Sequence, residues 1–218
     1  MHKYDLIFAS IGSLISILFF ILVNYLTSPS HIWFIYPVFF LLLWPVSVYF
    51  IKKREYKIHS LCISIIIILY LFLTNFLYSP SHPWALYAFY PIIWWPIMVI
   101  FENARKTISL GLIGSFITIV YYSILNLVIS PGYPWAIYPA FIVLWWPLAL
   151  YHAKYKKFFQ FLISSSLFIS VFFIIVNMVS SPNEIWAVYP IFAVLWWPLS
   201  MYYYYFKRKE SSVKIKTR

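Results

Sequence analysis

The chain has 218 residues, of which 64% are hydrophobic, 24% aromatic and only 10% charged. An ordinary soluble domain is about half apolar and about a quarter charged, so too little charge is present to clothe a water-facing surface. A net charge of +11 would suggest nucleic acid in a soluble chain. Here the basic residues sit in short separated clusters rather than on one domain, which excludes that partner. With a mean hydropathy of +0.85, the composition is that of an integral membrane protein.

Read in chain order, Lys3 precedes an apolar run over 5–27. No cleavage site of the A-x-A type follows it, so it reads as a retained span rather than a signal peptide. Ser28-Pro29 breaks the run, a second stretch covers 32–51, and Lys52, Lys53 and Arg54 close it. The pattern recurs over 58–78 and 84–101, over 108–129 and 135–152, and over 158–180 and 185–206. A helix needs about 20 apolar residues to cross a core of about 30 Å. The expected fold is therefore all-α, with eight transmembrane helices in four tandem hairpins, 1–55, 56–106, 107–157 and 158–206. The basic tail 207–218 is expected to lie on an anionic inner leaflet. Continuously apolar stretches, rather than alternating ones, exclude a β-barrel.

All 16 Lys and Arg fall at every second boundary, and the boundaries near 28–32, 79–83, 130–134 and 181–185 carry none. This is the positive-inside pattern, and it places both termini in the cytoplasm. Cys62 is expected just inside the membrane as a small packing residue.

A repeat of 51 residues runs through the whole chain without insertion. Asn24, Asn75, Asn126 and Asn177 keep that step, as do Ser28, Ser79, Ser130 and Ser181 with their following prolines. So do Trp33, Trp84, Trp135 and Trp186, and Tyr36, Tyr87, Tyr138 and Tyr189. Trp44, Trp95, Trp146 and Trp197 complete the unit, each followed by proline. Two spans per repeat keep all copies parallel, related by an axis along the membrane normal. Equal spacing allows a pseudo-fourfold ring or an open row, and closure favours the ring.

The repeated residues suggest roles. Trp44 lies 11 residues after Trp33, about 16 Å deeper, and is expected inside the bundle. The proline after it removes a backbone donor and frees the carbonyl at Leu41. In lipid that carbonyl needs a neighbouring helix, a hydroxyl or water. The kink either shapes packing or opens a cavity or hinge. Asn24 and its equivalents are expected to bond Tyr36 and its equivalents, or the freed carbonyls of the turn, as structural clasps. The alternative is that these asparagines, tyrosines and Trp-Pro tryptophans line a ligand site.

His31 and His82 are equivalent, but Tyr133 and Glu184 replace them in the later repeats, and no histidine pair has ligand spacing. No metal or cofactor is expected. Asp5 is the only aspartate, which excludes paired-aspartate proteolysis, and no glycine-rich phosphate loop or G-x-S-x-G segment occurs. No catalytic residue is assigned. Gly111 and Gly114 are three apart and do not form a GxxxG face.

The turn segment resembles the bacterial 2TM domain family, in which an asparagine, a T/S-P-G turn and a W-F-x-W-P stretch open a second helix. Asn24, Ser28, Pro29, Trp33 and Pro37 match in order and spacing, as do Asn126, Ser130, Pro131, Gly132, Trp135 and Pro139. His152 falls near a histidine the family often carries. The family usually has one hairpin, whereas four occur here. The resemblance implies a bacterial membrane module of the kind found with sensor kinases, and carries over no catalytic residue. The expected function is a non-enzymatic scaffold or sensory module in the bacterial cytoplasmic membrane, touching lipid or other membrane proteins. The alternative is a carrier or pore for a small apolar or neutral solute.

Overall fold

The computed structural model describes residues 2–102 and 106–207. Eight α-helices and no strand are seen among the described residues: α1 His2–Thr27, α2 Ile35–Lys52, α3 Tyr56–Tyr78, α4 Ala85–Ile100, α5 Ile108–Ile129, α6 Ile137–Lys154, α7 Phe158–Ser180 and α8 Val188–Met201. A π-helical turn, Tyr202–Lys207, continues α8. The expected tail beyond Lys207, and Arg105, lie outside the described residues.

The Ser-Pro pair dictates where the odd-numbered helices stop. Proline forces the residue before it out of the α region. Ser79, Ser130 and Ser181 accordingly take φ of -147°, -145° and -150°. Each still donates its N–H to the asparagine carbonyl four residues back, at 2.9, 3.1 and 3.0 Å. Proline then reappears harmlessly as the third residue of α2, α6 and α8 (Pro37, Pro139 and Pro190). First-turn N–H groups have no helical partner there.

At the basic ends, α2 and α6 close with a non-glycine residue in the left-handed region, Arg54 at φ 58° and Lys156 at φ 52°. Glu55 N–H then bonds Phe50 O at 3.0 Å and Lys157 N–H bonds His152 O at 3.1 Å. This is the Schellman closure, in which glycine is usual.

Five of the described helices are long and apolar enough to cross a membrane: α1 over Tyr4–Thr27, α2, α3, α5 and α7. The apolar α4 has 16 residues, about 24 Å at 1.5 Å per residue. Tryptophan, tyrosine and proline shorten or dilute α4, α6 and α8 relative to the helices they follow.

The chain divides into two compact units, Met1–Glu102 and Asn103–Arg218. In the first, α1 packs on α2, α3 on α4, and α2 on α3. In the second, α5 packs on α6, α7 on α8, and α6 on α7. Each unit is thus two hairpins joined through the second helix of one and the first helix of the next.

Small residues recur along the seams, beside a few large ones such as Ile63, Leu125 and Leu162. Ala9, Ser60 and Gly111, one repeat apart, are all buried, as are Ser13, Ser64, Ser115 and Ser166. Small residues let backbones approach in lipid, where helix association depends on packing rather than on the hydrophobic effect. Gly111 and Gly114, dismissed above as a GxxxG face, lie with Ser115 and Thr118 on the buried stripe of α5. Their spacing of three and four residues is the helical repeat of one face. A Cβ on Gly111 would stand 3.3 Å from Pro147 Cα and 3.1 Å from Leu150 Cδ1. Gly111→Ala should therefore force α5 and α6 apart and cost about 1–3 kcal/mol, read as a lowered melting temperature in detergent. Gly132→Ala, with nothing within 4 Å, should leave it unchanged.

Candidate functional site

Two polar constellations repeat along the chain, one at the Ser-Pro turn and one at the Trp-Pro kink. At the turn, Asn24 Nδ2 donates to Ser28 O at 2.8 Å and to His31 O at 2.9 Å, and Oδ1 accepts from Phe34 N–H at 3.1 Å. Asn75 does the same with Ser79, His82 and Ala85 at 2.7, 2.9 and 2.8 Å. Asn126 holds Ser130, Tyr133 and Ala136 at 2.7, 2.8 and 3.0 Å. Asn177 holds Ser181, Glu184 and Ala187 at 2.9, 2.5 and 2.8 Å. One buried amide thus ties the end of one helix to the start of the next.

The expected Asn–Tyr bond is not made: both Nδ2 hydrogens go to turn carbonyls, and Oδ1 accepts a backbone N–H at the start of the next helix. The other expectation, asparagine on those carbonyls, describes the geometry. The four tyrosines share no common environment. Tyr36 is exposed, the Tyr87 ring lies 5.8 Å from His82, the Tyr138 hydroxyl bonds that of Tyr133 at 2.8 Å, and Tyr189 is exposed. The Tyr138 bond, followed by desolvation, raises the Tyr133 phenol above its ordinary range.

The Trp-Pro kink has a partner that the motif search above missed. Ser64 Oγ donates to Ile92 O at 3.3 Å, and Ser115 Oγ donates to Val143 O at 3.0 Å. Ile92 and Val143 are the residues four before Pro96 and Pro147, whose carbonyls proline leaves without a helical donor. Ser13 and Ser166 hold the same repeat position, buried, each with Oγ unbonded. The signal was in the sequence: serine recurs at 13, 64, 115 and 166 with the same 51-residue step.

This geometry also corrects the placement of the kink tryptophans. Trp44, Trp95 and Trp197 are 42%, 40% and 45% exposed, and Trp146 is half-buried. Pro96 and Pro147 are buried against the partner helix instead. The residue before each proline is turned about 100° around the helix, so the tryptophan lies at the margin of the seam, where the Trp44 ring stands 3.6 Å from the place of a Cβ on Gly12. Trp44 leans its ring edge on Phe8 at 6.1 Å, and Trp95 meets His59 at 5.8 Å. At the turn, Trp33, Trp135 and Trp186 meet Phe20, Tyr122 and Phe173 edge-on at 6.1, 6.1 and 6.2 Å.

Histidines enter where hairpins join. His59 on α3 contacts Phe50 at 6.4 Å and places Nε2 3.2 Å from Ser47 Oγ. In the second unit the ring pair recurs with its partners exchanged, His152 on α6 against Phe161 on α7 at 5.6 Å. Among the described residues, no three of His, Cys, Asp and Glu gather as metal ligands.

The second unit also carries an apolar pocket of about 380 Å³ beside Pro147, lined by Ile108, Leu112, Leu144, Leu148, Tyr151 and Phe168. Its size falls within the range of small-molecule sites. No protein-family model, curated protein or solved structure matches the chain.

Two mutant sets test the constellations. Asn75→Ala strands two carbonyls and one N–H and should cost about 1–3 kcal/mol or more. Asn75→Asp should be no better, since it keeps the acceptor but loses both donors. Thermal unfolding in detergent checks both, and an unchanged melting temperature would remove the clasp. For the kink, Ser115→Ala should cost about 1–3 kcal/mol by leaving Val143 O bare. In a Pro147→Ala background, where residue 147 regains its N–H, Ser115→Ala should be near neutral. Ser13→Ala, which breaks no bond, should be milder than Ser115→Ala.

Proposed function

We propose that this is a non-enzymatic multi-pass protein of a bacterial cytoplasmic membrane, acting as a scaffold or sensory module through contacts with lipid or other membrane proteins. In this reading all eight helices span, as four parallel hairpins with both termini cytoplasmic. The absence of basic residues at the Ser-Pro ends and their clustering at the opposite ends support that orientation. The shorter second helices are accommodated by local thinning of the bilayer or by interfacial tryptophans. The likeness of the turns to the 2TM domain family fits a module of this kind.

The observation that carries the reading is where the side chains are spent. The repeated asparagines, and the serines at the kinks of α4 and α6, bond backbone within their own hairpins. The kink tryptophans, by contrast, leave 42%, 40% and 45% of their surface exposed at Trp44, Trp95 and Trp197 on α2, α4 and α8. A ligand site needs convergent polar groups left free, whereas a scaffold needs an outward aromatic surface. The runner-up, a carrier or pore for a small apolar or neutral solute, is favoured by the pocket beside Pro147.

Native mass spectrometry of the protein released in gentle detergent separates the two. The scaffold reading expects bound lipid or protein and no stoichiometric small molecule. A defined apolar ligand at one per chain, lost when Leu148→Trp fills the pocket, would overturn it in favour of the carrier.

A further inference from the structure

Hairpins within each unit are joined by one recurring contact. Phe39 on α2 stacks on Tyr70 of α3, with ring centroids 3.9 Å apart and planes at 15°. Phe141 on α6 stacks on Phe172 of α7 at 3.9 Å and 16°. Both residues of the second pair lie two repeats after those of the first. The same stripe continues below, through Trp145 against Phe161 and Phe168 and through His152 against Phe161. One side of this interface thus belongs to second helices, and the other to first helices.

Exposed copies of its two halves lie on α8 and α1. One repeat after Tyr138, Phe141 and Trp145, α8 presents Tyr189, Phe192 and Trp196, and all three are exposed. Three repeats before Phe161, Phe168 and Phe172, α1 presents Phe8, Ile15 and Phe19, and these are exposed as well. Phe192 is 65% and Phe19 58% exposed, although their counterparts form the stacked pairs. Position 39 of the repeat is aromatic in all four copies (Phe39, Tyr90, Phe141, Phe192), and so is its partner position (Phe19, Tyr70, Tyr121, Phe172).

We propose that the α8 stripe is a docking surface for α1 of a second copy of this chain, with Phe192 stacking on Phe19. Exposure of aromatics in lipid costs little, so exposure alone would say nothing. The argument is continuity: α8 repeats the surface that α6 uses to hold α7, and α1 repeats the surface by which α7 is held. Parallel copies in one membrane bring the two stripes to the same depth. Such a contact is heterologous, leaving one α8 and one α1 free on each dimer, and it propagates to closed rings or to rows. The proposal rests on the membrane-scaffold reading and names the partner.

Cysteine crosslinking of the full chain in native membranes tests it, in a Cys62→Ser background. Two differently tagged chains, one with Phe19→Cys and one with Phe192→Cys, are co-expressed and oxidised. The expected product is a disulfide dimer carrying both tags. Leu14→Cys replaces Phe19→Cys as the collision control. Leu14 is exposed, and so is its counterpart Leu167 on α7, which packs against both α6 and α8. A chain with Phe39→Cys and Tyr70→Cys should close its own disulfide and reports that the hairpins pack as described. Equal yields from the Leu14 and Phe19 positions would overturn the interface. So would a chain carrying both Phe19→Cys and Phe192→Cys that closes only on itself, as a pseudo-fourfold ring would. No mixed dimer alongside a closed Phe39–Tyr70 pair would overturn the interface alone and leave the scaffold reading standing. Failure of the Phe39–Tyr70 pair as well would overturn both.

Discussion

A backbone amide or carbonyl left without a partner in hydrocarbon costs several kcal/mol, so a chain built for lipid has to close every gap in its hydrogen-bond ladder from within. Each hairpin here opens the ladder at two repeated places, and Pro91 opens it once more in α4. The Ser-Pro turn strands carbonyls and an N–H between two helices, and the Trp-Pro step strands a carbonyl inside the second helix. The buried polar side chains are distributed accordingly. One asparagine amide serves three backbone groups at the turn, and one serine hydroxyl reaches across to the kink in α4 and in α6. Other buried hydroxyls, those of Ser60, Thr74 and Thr118, bond carbonyls of their own helix or its N-terminal turn, whereas Ser165 Oγ and His152 Nδ1 are buried without a partner.

That division explains which positions tolerate change. The third contact of the asparagine is a backbone carbonyl, supplied by His31, His82, Tyr133 or Glu184. Any side chain serves there, which is why an imidazole, a phenol and a carboxylate alternate at one repeat position. The asparagine has no substitute, since no other side chain of its length offers two donors and an acceptor in one plane. Where hairpins join, a phenylalanine and a histidine ring meet at 51° in one unit and 62° in the other, and the members trade places: Phe50 with His59, His152 with Phe161.

The helices and their hairpin pairing were legible in the sequence because both follow from coarse signals, apolar runs and proline breaks. Helix ends at Thr27, Tyr78, Ile129 and Ser180 fall where the Ser-Pro pair predicts. The asparagine partner was legible only as a choice between tyrosine and carbonyl, since sequence depth places both at the same height. The tryptophan facing was not legible in the sequence, for a definite reason. Depth along a helix can be counted, but rotation about it needs a contrast between lipid and core, and helices apolar all round give none. Pairing Ser115 with Val143 would have supplied that contrast, because it fixes the proline, and hence the tryptophan beside it, by about 100°.

The same pairing separates the hairpins from one another. In α4 and α6 the kink carbonyl is held by a hydroxyl of the neighbouring helix, whereas Ser13 and Ser166 lie buried with their hydroxyls unbonded. A proline kink whose carbonyl is tied to its neighbour resists bending, and one whose serine is not engaged lacks that restraint. The hairpins with unbonded serines are α1–α2 and α7–α8, and these same hairpins carry the uncovered aromatic stripes on α1 and α8. Each join inside a unit takes one helix from a tied hairpin and one from an untied hairpin, α3 with α2 and α6 with α7. The exposed stripes of α1 and α8 thus belong to the two hairpins in which the buried serine facing the kink makes no hydrogen bond.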